Sequence, residues 1–150
     1  MNDFFQFEAD FVESLRCIPM QVRLKLDTCG VKLKLAQWNK LSQTDRQILV
    51  DSPCETNDEI EDYRSHLQRL ILQRTGEVAT DLPIDPQPDW TNEIVIPESV
   101  QAQVQALQLI LTQPQWASLT PVQRFALIKL SRSNHENSNF LPAMQEFHLV

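Results

Sequence analysis

Ile18 to Leu49 returns seventy-eight positions later as Ile96 to Leu127, in register and without a gap. The recurring residues are Ile18 and Ile96, Pro19 and Pro97, Val22 and Val100, Leu33 and Leu111, Gln37 and Gln115, Trp38 and Trp116, Leu41 and Leu119, Arg46 and Arg124, and Leu49 and Leu127. Nine of 32 positions agree, where ordinary residue usage predicts roughly two. Ser42 and Thr120 also keep a helix-capping hydroxyl. A unit of this length cannot bury its apolar face alone, so the two copies are expected to pack face to face. The expectation is an all-α fold: one compact helical domain over residues 1–150, built from two related helix-connection-helix units. The first spans 18–76 and the second 96–150, with an extended proline-rich strap at 77–95 between them.

Local signals set the elements. Pro19 suits the start of a helix and Gly30 the left-handed residue that ends one. Between them Val22, Leu26 and Cys29 fall on one face, while Arg23 and Asp27 form an outward pair one turn apart. Val31, Leu33 and Leu35 then alternate with Lys32 and Lys34, the pattern of a short extended connection. Ser42 with Asp45 caps a helix that Pro53 closes. Thr56 with Glu59 forms a capping box for a longer one through Ile60, Tyr63, Leu67, Leu70 and Arg74 to Gly76. The strap carries Pro83, Pro86 and Pro88 among acids, with Leu82, Ile84, Trp90, Ile94 and Ile96 as expected apolar anchors. Helix resumes from Pro97 to Ile110, with Val100, Val104, Leu107 and Leu111 inward. Thr120, Pro121 and Gln123 start another, and a last short helix is expected over Leu141 to Phe147. At the N-terminus Phe4, Phe5, Phe7 and Phe11 must dock on something, as an extended lead-in followed by a turn of helix over Phe11 to Leu15.

Composition narrows the chemistry. A chain of 150 residues buries roughly 68–70% of its unfolded surface, enough for a core without staples. No apolar run approaches the ~20 residues of a membrane span, and the opening segment carries acids where a signal peptide carries bases. The protein is expected in the cytoplasm, away from membranes. Cys17, Cys29 and Cys54 are expected as packed thiols, although Cys17 and Cys29 each neighbour an arginine that would favour a reactive thiolate. The two glycines, Gly30 and Gly76, leave no room for a P-loop or a dinucleotide fingerprint. No histidine or cysteine spacing matches a metal knuckle, and nothing frames a catalytic nucleophile, so the chain reads as a non-enzyme without metal or cofactor.

The net charge of −7 is uneven: Arg16 to Arg46 holds seven bases against Asp27 and Asp45, a local +5 that leaves −12 for the remainder. An acidic body repels phosphate backbones, which argues against nucleic acid, while a basic patch on it can orient a protein partner.

Phe7 to Asp10, Arg16 to Met20, Val22-Arg23, Lys25 to Asp27 and Gly30 to Leu33, followed by Trp38, resemble the signature of the cyanobacterial nitrate reductase-associated protein family. The resemblance implies a small accessory protein needed for active assimilatory nitrate reductase, a molybdenum and iron-sulfur enzyme, and carries no established functional residues with it. The leading expectation is a maturation factor, a chaperone that binds the apo or maturing reductase. Its contact face is Arg16, Arg23, Lys25, Asp27, Lys32 and Lys34, the signature residues that do not recur in the second copy. The alternative is a carrier whose basic face grips the pyrophosphate of molybdopterin guanine dinucleotide; a third is an enzyme using Cys17 or Cys29.

Overall fold

The computed structural model describes residues 4–9, 18–133 and 136–150. Among them the fold is mainly α-helical, as expected, with two strands of two residues each as the exception. Packing divides the chain into two units, one ending at Asp85 and the other running from Pro86 to Val150 together with the N-terminal segment.

In the unit that ends at Asp85, helix α1 (Met20–Cys29) starts directly after Pro19, whose ring holds φ at −58°. It buries Met20, Val22, Leu26 and Cys29 and stops at Gly30, left-handed at φ 76°. Strand β1 (Val31–Lys32) follows, with Val31 buried and Lys32 exposed. The alternating pattern ends there. Residues expected to stay extended form a short helix instead, α2 (Leu35–Asn39), because Gln37 Oε1 accepts from the Lys34 amide and caps the turn. Trp38 goes inside and Leu35 stays exposed.

Helix α3 (Gln43–Asp51) begins with a reciprocal cap, the Asp45 amide donating to Ser42 Oγ and the Ser42 amide to Asp45 Oδ2, both at 3.0 Å. The two halves of that cap satisfy donors that the first helical turn leaves without partners. Thr56 and Glu59 do the same for α4 (Asn57–Thr75), the longest helix, which ends at Gly76 with φ 82°. Val22, Leu49, Leu67 and Ile71 form the fully buried centre. Strand β2 (Thr80–Asp81) pairs antiparallel with β1, Val31 opposite Asp81 and Lys32 opposite Thr80, and the Leu82 amide adds a bond to the Gly30 carbonyl at 2.9 Å.

The second unit is helical and carries no strand among its described residues. Helix α5 (Glu98–Ala106) follows Pro97 and buries Val100 and Val104. It stops short of the expected Ile110: Gln108 turns left-handed at φ 58°, and the Leu109 amide closes back on the Val104 carbonyl. That closing pattern satisfies the last helical carbonyls without a glycine. Helix α6 (Gln113–Ser118), a piece not foreseen, is capped by Thr112 and Gln115 and buries Trp116. Helix α7 (Pro121–Arg132) carries the expected Thr120 and Gln123 cap. Helix α8 (Phe140–Glu146) ends the unit. Phe5 and Phe7 stack at 5.3 Å and meet Phe147 edge-on, while the Phe7 amide donates to Glu146 Oε1 at 3.1 Å. The turn expected over residues 11–15 lies outside the described residues.

From residue 86 the strap runs over the second unit with little regular structure. Trp90 lies edge-on to Phe125 at 5.1 Å. Its backbone is held by α6 and α7: Trp116 Nε1 donates to the Asn92 carbonyl at 2.8 Å, Gln113 Nε2 to Glu93 at 3.0 Å, and Arg124 Nε to Trp90 at 2.7 Å. Two expected anchors are not anchors. Ile84, in the unit that ends at Asp85, is 57% exposed, and Ile94, beside the carbonyl-held residues of the strap, is 76% exposed.

Several residues that recur at the offset of 78 are buried at both positions. Trp38 and Trp116, Leu41 and Leu119, Leu49 and Leu127 are buried in each pair. Arg46 donates to the Trp38 and Asn39 carbonyls, and Arg124 to those of Trp116 and Leu119.

Candidate partner-binding face

Of the six residues expected to form a contact face, Arg16 lies outside the described residues. The other five do not share one surface. On α1, Arg23 and Asp27 are four positions apart and project to one side, while Lys25 projects to about the opposite side. Both Arg23 and Asp27 are half-buried and engaged in interactions of their own, Arg23 Nη1 lying 3.7 Å from Met20 Sδ.

Lys25 is turned towards the fold. Its ammonium donates to the carbonyls of Val50 at 2.6 Å and Ser52 at 2.7 Å, and lies 5.7 Å from the centre of the Tyr63 ring. Those carbonyls end α3, where the helix dipole favours a cation and the last oxygens lack helical partners. Lys25 therefore joins α1, α3 and α4. Lys32 and Lys34 remain exposed, Lys32 on β1 opposite Thr80 and Lys34 at the start of α2. Among the described residues of the expected face, these two lysines are the fully exposed side chains.

A residue that sequence reasoning missed holds the base of this region. Arg64, from the middle of α4, donates through Nη1 to the carbonyls of Cys29 at 2.9 Å and Gly30 at 3.0 Å, and through Nη2 to the Asp81 carboxylate. It fastens the end of α1 to the ribbon that displays Lys32. Nothing in local spacing announces it, since all its partners are distant in sequence.

At the start of α3, Arg74 grips Asp45 through Nε at 2.8 Å and Nη2 at 3.3 Å. That bond, helped by the Ser42 amide and hydroxyl against the opposing effect of burial, holds the Asp45 carboxyl down to about 2.

Cys29 and Cys54 are buried free thiols. Burial, reinforced by the nearby Cys54, pushes the Cys29 thiol up to about 12, and the Arg64 charge only partly offsets it. Burial likewise pushes Cys54 up to about 11, against Lys25. Neither forms thiolate near neutrality: at Cys29 desolvation outweighs the one arginine that acts on it, Arg64, and Arg23, expected to activate this thiol, has no part in setting it. Cys17 lies outside the described residues. Among the described residues no group of three or more His, Cys, Asp or Glu side chains could hold a metal ion, and no helix is long and apolar enough to cross a membrane.

The family described as conserved nitrate reductase-associated protein matches residues 4–147, which takes in both units and the whole of the candidate face. The chain belongs to that nitrate reductase-associated family. No curated protein and no solved structure matches it. For this family member the geometry separates residues that build the scaffold, Lys25 and Gly30 with Arg64, from those offered to solvent, Lys32 and Lys34.

Proposed function

We propose that the protein is a non-catalytic accessory factor for assimilatory nitrate reductase, acting in the cytoplasm by binding the apo or maturing enzyme and holding it competent for cofactor insertion. The observation that carries this reading is the family match over residues 4–147. Two exposed lysines, Lys32 on a braced ribbon and Lys34 at the start of α2, in a chain of net charge −7, support a protein-facing role, because a local basic feature on an acidic body orients one partner without attracting polyanions in general. In this reading Arg16, Arg23, Asp27, Lys32 and Lys34 contact the partner, and Lys25 acts through the shape it maintains. The like placement of the recurring residues supports a duplicated unit as the origin of the two halves.

Deletion of the gene tests the role. Reductase polypeptide that accumulates without activity supports maturation; loss of its transcript points to regulation, and normal activity sinks the reading. A pull-down tests the face: Lys32→Glu with Lys34→Glu is expected to abolish capture of the reductase. Full capture by that double variant removes the lysines from the interface.

A further inference from the structure

In the unit that ends at Asp85, one face of α4 carries Glu59, Asp62, Tyr63 and His66, the i, i+3, i+4 and i+7 positions of a single stripe. Across from it stand Ile48, Ser52 and Pro53 at the end of α3, and the two sides enclose an open groove of about 290 Å³. That volume sits at the low end of ligand pockets, ~300–1,000 Å³, and suits one long side chain.

The walls specify what kind. Ile48 is 39% exposed where a folded chain would normally cover it, and Pro53 continues the apolar wall. Tyr63, buried to 3% exposure, closes the floor of the groove, its hydroxyl engaged on the Leu49 carbonyl at 2.8 Å and Lys25 Nζ lying 5.7 Å from its ring centre. Ser52 contributes little polarity, its hydroxyl being bonded to the Ile48 carbonyl at 2.6 Å. The charged groups lining the groove are carboxylates. Glu59 commits Oε1 to the amides of Glu55 and Thr56, whereas Asp62 is exposed and makes no hydrogen bond or ion pair among the described residues. His66 adds an Nε2 that is buried without a partner. The cation nearest the groove, Lys25, has its ammonium on the Val50 and Ser52 carbonyls, whose partial charges offset it.

We infer that this groove receives an arginine side chain of a partner protein. Its methylene stem lies along Ile48 and Pro53, and its fork reaches the Asp62 carboxylate, with Glu59 adding negative potential. The apolar share of the walls favours guanidinium over ammonium, because guanidinium is more weakly hydrated and its planar fork pairs a carboxylate through two N–H groups. An acidic side chain is repelled by Glu59 and Asp62, and a purely apolar one covers Asp62 without pairing it. The inference does not depend on the partner being nitrate reductase.

Amide and imidazole NMR on the purified full chain tests it, with the capped tripeptide Ac-Gly-Arg-Gly-NH2 as probe and its lysine and norleucine counterparts as controls. The arginine peptide is expected to give saturable shifts at Ile48, Asp62, Tyr63 and His66 with a dissociation constant on the order of 1 mM. Both controls should bind about tenfold more weakly. Asp62→Asn should weaken the arginine peptide about tenfold, and Asp58→Asn, at an exposed neighbour outside the groove, should leave it unchanged. Equal binding of the norleucine peptide, undiminished binding by Asp62→Asn, or no saturable shift at these residues at about 10 mM peptide overturns the inference.

Discussion

Replacing Gly30 by alanine should cost clearly more than the same change at Gly76, although both glycines end helices in the left-handed conformation, at φ 76° and 82°. A left-handed L-residue costs roughly 1–2 kcal/mol, and that part is common to both sites. The surroundings differ. At Gly76 an added Cβ meets nothing within 4 Å, whereas at Gly30 it would lie 2.9 Å from the Leu82 carbonyl oxygen and 2.7 Å from Ile84 Cγ1. Ile84 is exposed and can swing aside at little cost. The Leu82 carbonyl is backbone, tied into the ribbon by the bond from the Leu82 amide to the Gly30 oxygen. Moving it away gives up about one backbone hydrogen bond, ~0.5–1.5 kcal/mol, so Gly30→Ala should total about 2–3 kcal/mol against about 1–2 for Gly76→Ala. In urea, a difference of about 1 kcal/mol separates the two midpoints by roughly 0.5 M at an ordinary slope. Far-UV circular dichroism reads the midpoints, and amide exchange should show Leu82 less protected in Gly30→Ala alone. Equal midpoint shifts with Leu82 still protected would refute the argument that crowding, beyond backbone strain, fixes glycine at this site.

Lys25→Met should lower stability by about 1–3 kcal/mol, since it strips a charge-assisted donor from two helix-end carbonyls, while Lys32→Met should change it by less than about 0.5 kcal/mol; urea melts compare them directly. The Asp45 carboxyl, depressed from 3.8 to about 2, contributes stability that is complete above pH 3.8 and lost as pH falls through about 2. Because Arg74 is 45% exposed and solvent screens the pair, its worth is at most about 1 kcal/mol. Wild type should therefore lose its advantage over Asp45→Asn across that window in acid titrations of the melting midpoint. In a Cys17→Ser background, Cys29 and Cys54 should resist a thiol reagent at pH 8 and react fully in denaturant. Gln108→Gly should raise stability by about 0.5–1 kcal/mol, because that residue occupies a left-handed helix end without being glycine, and thermal melts will show it.

What could be read from the sequence was local. Ser42, Thr56 and Thr120 cap helices through their own side chains three residues away, and Gly30 and Gly76 end helices through their own backbone, so spacing alone places them. The short helices around Trp38 and Trp116 escaped because alternation at Val31, Leu33 and Leu35 imitates a strand, and because two turns of helix leave too few residues for a 3.6 period to declare itself. The early end of α5 escaped because Gln108 stands where glycine is usual. The candidate face was readable as a set of charges but not as a surface. Lys25 and Lys32 look alike in sequence, yet one finds carbonyls from α3 and the other finds water. Arg64, whose partners lie 17 to 35 positions away, carries no local mark at all.

The strap from residue 86 is fastened by side chains of Gln113, Trp116 and Arg124 acting on the backbone oxygens of Glu93, Asn92 and Trp90. Every residue type supplies such an oxygen, so these fastenings place no demand on what the strap's own side chains are at positions 92 and 93. Position 93 can therefore change and the clasp still closes, whereas Asn92 has a second task, its Oδ1 accepting from the Ile94 amide at 2.9 Å and the Val95 amide at 3.1 Å. The docking of this segment is therefore written mainly in the helices that receive it, with Trp90 and Asn92 as the strap's own side-chain contribution.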